Sequence, residues 1–192
     1  MSKWISIRRA MPQGRNRDSR LVRFVRDENG AIAIEFVALA LPFSMLVFAI
    51  LESSVSFAGQ QVLVNAADNI ARQFRTGQIK SSETNEVKLR TMVCDELKII
   101  VAAGCPGLEI DLRQFATFED AAKLRIKYTA GGDIDTSDFK VDPGPSLSKN
   151  TLRLFYRWPV MTDVMRKSMS NIGSGYTLQF ATVTWQNEPF DD

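Results

Sequence analysis

Few side chains in this chain have types and spacing that could do chemistry, and they fall in three places. Gly30 stands at the polar edge of an apolar run, and Glu35 is the single charge between Ala31 and Leu51. A carboxylate inside such a run is expensive, so it marks a functional site with a partner still to be named. Cys94 and Cys105 are the only cysteines. In an oxidising compartment they read as one disulfide; two buried free thiols are the alternative. Asp133, Asp135, Ser137 and Asp138 open like an oxygen-ligand calcium loop. Such a loop wants glycine at its sixth position and glutamate at its twelfth, where Asp138 and Gly144 stand. A solvated acidic loop is therefore the better reading, and no metal is expected. Histidine is absent, which excludes His-based triads, His general bases and His-ligated zinc. Glu119 and Asp120 are adjacent and do not face each other on a helix. No nucleophile has an activating base, so neither an enzyme activity nor a cofactor is expected.

The apolar run must position Gly30 and Glu35. At about 1.5 Å per residue, Ala31 to Leu51 reaches roughly 31 Å as a helix, enough for a bilayer core. Eight basic residues and one acid lie between Lys3 and Arg26. The charge asymmetry places this basic leader in the cytoplasm and exports the C-terminal part. Basic charge abutting a membrane span, with no interleaved aromatics, argues against a nucleic-acid partner.

Pro42 predicts a bend in the span. The helix is not expected to stop at Leu51. Val55, Ala58, Val62, Ala66, Ile70 and Phe74 continue at spacings of three and four, and Gly77 supplies the stop. The organisation is a leader over 1–30, a transmembrane helix over 31–51, its continuation over 52–77 and an exported α+β domain over 78–192.

A second helix is expected from about Glu83, with Val87, Arg90, Thr91, Cys94, Leu97 and Val101 along one side. Run unbroken to Ala103, it would hold the cysteines about 15 Å apart along its axis. A bridge needs Cα atoms within about 7 Å, so it demands that the helix end early or turn back. Leu108, Ile110 and Leu112 alternate with Glu109, Asp111 and Arg113 as a strand. Residues 116–122 read as a helical turn or irregular loop. Residues 131–148 read as a long surface loop. Leu152 to Trp158 and Tyr176 to Trp185 are further strands, with a short helix between Val160 and Asn171. Tyr156, Trp158, Phe180 and Trp185 are expected as core or edge aromatics. The fold class is α+β, a long N-terminal helix packed on a small antiparallel sheet.

The leader, Gly30, Ala31-Ile32-Ala33-Ile34 and Glu35-Phe36 together resemble a type IV prepilin signal. The resemblance implies that a prepilin peptidase cuts between Gly30 and Ala31, and that Glu35 becomes the fifth residue of the mature chain. Glu35 would then neutralise the new amine of a neighbouring subunit and set axial register. An uncleaved signal anchor with a snorkelling glutamate and a secretory signal cut near Ala58 are the bland alternatives.

Leu41-Pro42, Gln60-Gln61, Asn65-Ala66-Ala67, Ile70-Ala71, Tyr156-Arg157-Trp158-Pro159 and Asn187-Glu188-Pro189-Phe190 follow in order. With Glu35-Phe36 they resemble the TadE/TadG family of the tight-adherence (Flp) pilus system, TadE-type members in particular. The resemblance implies a minor pseudopilin or pilus-assembly protein of the bacterial inner membrane. Implied partners are the prepilin peptidase, other pilins and pseudopilins, the inner-membrane assembly platform and the lipid bilayer. A signal-anchored periplasmic binding or adhesion module is the rival reading.

Overall fold

The computed structural model describes residues 31–191. Two compact units divide the chain after Val47. The described part of the first, residues 31–47, is helical throughout. It belongs to helix α1, Ala31–Arg75, whose 45 residues include Pro42.

The second unit holds the rest of α1 and everything after it. In order these are α2 (Glu86–Leu97), β1 (Leu108–Phe115), α3 (Phe118–Ala122), β2 (Val141–Asp142), β3 (Lys149–Pro159), α4 (Asp163–Met169) and β4 (Tyr176–Gln186). Short 3-10 turns occupy Ser81–Glu83 and Gly173–Gly175. The sheet order is β2-β1-β3-β4. β3 pairs antiparallel with β1 and β4, but β2 joins β1 in parallel. The sheet is therefore mixed rather than purely antiparallel. The added strand comes from the segment read as a surface loop.

Helix α1 ends where glycine permits. Gly77 takes φ +70°. Its N–H donates to Phe74 O at 3.2 Å, and that of Gln78 to Gln73 O at 3.0 Å. This pair of bonds satisfies the last carbonyls of a helix closed by a left-handed residue. Arg75 O accepts from the N–H of Glu188 at 2.9 Å, so the C-terminal segment completes the cap.

The buried stripe of α1 runs through Ser56, Gly59, Leu63, Ala66, Ala67, Ile70, Ala71 and Phe74. Val55 and Ala58, expected in it, are exposed. One position round a helix is about 100°, and the face that meets the sheet begins at Ser56. In α2 the inward residues are Leu89, Val93 and Leu97. Val87, expected inside, is 75% exposed. It lies two residues from Leu89, on the opposite side of the axis. The Asn85 side chain caps α2 by accepting from Lys88 N–H at 2.8 Å.

These stripes meet Leu108, Ile110, Leu112, Leu152, Leu154, Tyr156 and Trp158 on one sheet face. Phe74 lies 6.2 Å from Trp185, centroid to centroid. A smaller cluster of Ile134, Phe155, Ile172 and Leu178, with Ile126 and Phe139 beside it, covers the other face. The 131–148 segment is thus partly core. Phe180, expected as a core or edge aromatic, is 48% exposed on edge strand β4.

Helix α2 stops at Leu97, as an intramolecular bridge requires. Gly104, Cys105 and Gly107 then adopt positive φ and turn the chain back. Cys94 and Cys105 form a disulfide with Cα atoms 5.8 Å apart.

Gly59 tests the packing of α1 on β3. A Cβ there would sit 2.6 Å from Trp158 Cζ3. Alanine would favour the helix by about 1 kcal/mol, but overpacking costs about 1–3 kcal/mol. The overlap wins, so Gly59→Ala lowers the thermal unfolding midpoint of the detergent-solubilised chain. A raised midpoint would show that Trp158 does not rest there.

Candidate functional site: an apolar helix anchored in its own domain

Residue types dictate what α1 offers to other molecules. From Ile32 to Leu51 no side chain is buried. Ile32, Ile34, Phe36, Leu39, Phe43 and Phe48 are each more than 60% exposed. This helix is long and apolar enough to cross a membrane. Exposed apolar surface on this scale marks a contact with lipid or protein. Gly30 lies outside the described residues. Ala31 is the first described residue of α1. Glu35 is exposed, and no partner reaches it among the described residues. Pro42 lies within the helix, which continues past it.

Above the apolar run, α1 is tied to its domain by polar contacts, buried at Ser56, that periodicity did not reveal. Gln179 Nε2 donates to Ser56 O at 2.8 Å and to Ser56 Oγ at 3.2 Å. Gln60 Nε2 donates to Phe180 O at 2.9 Å, on edge strand β4. Glu52 accepts from Thr162 N–H at 3.2 Å, from Met161 N–H and from the Thr162 hydroxyl. The only sequence signal for this last site is Thr162-Asp163, a helix-start pair at α4.

The two motifs quoted for the distal domain have definite jobs. In Tyr156-Arg157-Trp158-Pro159, Tyr156 and Trp158 enter the main core. Arg157 points to the other face, where Nη1 meets Glu109 at 2.9 Å and Nε meets Asp133 at 3.0 Å. Burial works against the Arg157 charge, but these carboxylates outweigh it and hold the guanidinium above its ordinary value. In Asn187-Glu188-Pro189-Phe190, Asn187 is buried. It accepts from Trp185 Nε1 at 2.7 Å and donates to Gly144 O and Pro145 O. The Phe190 ring packs on Gly77, where a Cβ would come within 2.6 Å of it.

The acidic loop does not converge. Asp133 faces Arg157, and Asp138 pairs with Lys127. Asp135 accepts from Ser137 N–H at 3.0 Å. The Ser137 hydroxyl and amide hold its carboxyl below the usual value. Among the described residues no cluster of three acidic, cysteine or histidine side chains could hold a metal. Glu119 and Asp120 both pair with Lys123.

The most deeply buried charges are Asp111 and Arg153, directly opposite in the β1–β3 register. Arg153 Nε donates to Asp111 Oδ2 at 3.0 Å, and Arg113 Nε donates to Oδ1 at 2.7 Å. The Lys140 N–H also donates to Oδ1, at 3.1 Å. The Arg153 guanidinium lies 5.5 Å from the centroids of both Phe139 and Phe155. Opposite charges placed across neighbouring strands were the available signal. The alternation pattern assigned them to an outer face, and the 123–140 segment covers that face.

Removing one partner of a buried pair strands the other and costs about 3–5 kcal/mol. Asp111→Ala should therefore lose much of the domain's stability in a urea titration. The double variant Asp111→Leu/Arg153→Met should regain most of it. A small loss in the single variant would mean that water or a relaxed loop reaches Arg153.

Comparison with known proteins bears on one end of the chain. No curated protein matches it, and no solved structure does. The family model described as TadE-like protein matches residues 30–72. That segment carries Glu35, Pro42 and most of the stripe that α1 buries in its own domain, and over it the chain is similar to that family.

Proposed function

We propose that the chain is a minor pseudopilin, or pilus-assembly protein, of a tight-adherence (Flp) type IV pilus system. The observation that carries the reading is the TadE-like segment, whose first part, residues 32–51, buries none of its apolar side chains and holds one carboxylate with no partner among the described residues. It acts by packing rather than by bond chemistry. The apolar part of α1 anchors in the inner membrane as a single pass, with the basic leader in the cytoplasm and the domain in the periplasm. A prepilin peptidase removes the leader after Gly30. The freed amine of Ala31 then pairs with Glu35 of an adjacent subunit.

An unpaired charge in an apolar bundle costs several kcal/mol, so this pairing fixes the axial register of neighbouring helices. Pro42 bends the helix to fit the bundle. The domain presents its surface to other pilins, pseudopilins and the assembly platform. The disulfide suits an oxidising periplasm.

Co-expression with a prepilin peptidase should shorten the chain so that its mass corresponds to an N-terminus at Ala31. A bulky substitution at Gly30 should leave it full length. Glu35→Leu should be cleaved but fail to co-purify with the pilins that the parent chain retains. An intact leader beside an active peptidase would overturn the processing step. Undiminished co-purification of the Glu35→Leu chain would overturn the register role.

A further inference from the structure

The stretch after Leu51 begins with Glu52-Ser53-Ser54 and reads as the point where α1 leaves the membrane. The polar groups there are nevertheless consumed within the protein. Ser53 Oγ donates to Ala49 O at 2.8 Å, and Ser54 Oγ donates to Ile50 O at 2.7 Å. Back-bonded hydroxyls of this kind need no water. The Glu52 carboxylate takes its hydrogen bonds from the Met161 and Thr162 amides and the Thr162 hydroxyl. Ser56 is buried against Gln179. What remains outward is apolar: Val55 is 49% exposed and Phe57 67%.

The loop after β3 continues the same surface. Met161 is 75% exposed. A cavity of about 200 Å³ opens between Phe48, Leu51 and Val55 on α1 and Trp158, Pro159 and Met161 on the loop. Its polar lining groups, Glu52 and Thr162, satisfy each other. Helix α4 lies across α1. Its cap residue Thr162 touches Glu52, and its last residue, Met169, has its sulfur 3.8 Å from Ser53 Oγ. A helix of this length laid along α1 would span about 10 Å and meet residues roughly six or seven apart.

We propose that the outer membrane boundary lies at Phe57–Ala58, and that the Pro159–Thr162 loop is immersed in lipid with a phospholipid acyl chain filling the cavity. The seven residues from Glu52 to Ala58 add about 10 Å to the span. Counted from Ala31, the helix then reaches about 42 Å, which matches a bilayer of about 40–45 Å with its interfacial regions. Stopping at Leu51 would leave Val55, Phe57 and Met161 bare in water. Crosswise α4 lies flat on the surface, with exposed Lys167 at the headgroups. The loop's donors allow Glu52 to sit at a depth that a bare carboxylate would resist. This inference rests on α1 crossing a bilayer, not on cleavage at Gly30 or on pilus assembly.

The full chain, with its native disulfide intact, is labelled with an environment-sensitive fluorophore at one added cysteine. The variants are Leu46→Cys, Phe57→Cys, Met161→Cys and Asp68→Cys. Each is reconstituted at high dilution in phosphatidylcholine vesicles carrying a spin label near the headgroup end of the acyl chain or deep within it. The Leu46 probe should be quenched by the deep label, which reports insertion. The Phe57 and Met161 probes should shift to the blue and lose most of their emission to the shallow label, while the Asp68 probe keeps its own. Phe57 and Met161 probes that behave like Asp68 while Leu46 is quenched would overturn the proposal and leave the span intact. Probes hidden from both the shallow label and an aqueous quencher would assign the cavity to a second copy of the chain and overturn it equally.

Discussion

The contact between the upper half of α1 and the sheet is what the rest of the structure depends on. Leu63, Ala66, Ala67, Ile70, Ala71 and Phe74 are at most 3% exposed. They lie against strands whose own inward residues, Leu112, Leu152 and Leu154, are fully buried. Burial of each large side chain in that layer is worth about 1.5–3 kcal/mol. A domain whose net stability is about 5–15 kcal/mol cannot do without such a layer. The alanines matter by being small, because they let the helix lie close to the sheet. Gly59 carries that logic to its limit where Trp158 fills the space of a side chain. The same helix therefore serves two solvents. Its N-terminal part exposes apolar side chains, and its C-terminal part is the centre of a folded domain.

A second constraint shapes the other sheet face. Asp111 and Arg153 are charged and buried, so their hydrogen bonds must be found inside. Arg113, Lys140 N–H and the Arg125 carbonyl provide them. Arg113 belongs to β1 itself, but the other two draw the 125–140 segment over the sheet, where Ile134 and Phe139 join the small cluster. This explains why a stretch rich in Gly, Asp, Pro and Ser is partly core. It also explains why β2 pairs in parallel: Leu112 N–H donates to Lys140 O at 2.8 Å just before the strand begins.

Much of this was legible in the residues, and the failures are physical. The long helix and three long strands follow from periodicity and glycine placement, and the early end of α2 is the condition that the cysteine spacing sets for a bridge. Periodicity gave the wrong phase at Val55, Ala58 and Val87, because apolar residues there compete with Ser56, Gly59 and Leu89 for the inward face. Phe180 takes the edge option of its expectation, because β4 is an edge strand with one side left open. The 131–148 segment was misread because its anchoring is ionic and long-range. Glu52 gave no warning at all; its partners lie more than a hundred residues away. Of the site residues, Cys94 and Cys105 are joined as expected, while Gly30 lies outside the described residues.

Helix α1 exposes an apolar run at one end and is an indispensable part of the domain core at the other. Two fragments test it, one starting at Ser54 and one at Thr76, each running to Asp192 with the disulfide formed. The first keeps the buried stripe, and the second lacks α1 altogether. Thermal unfolding followed by circular dichroism should show a cooperative transition for the fragment from Ser54 and none for the fragment from Thr76. A cooperative transition of similar midpoint in the fragment from Thr76 would contradict this, because the domain would then fold without the helix.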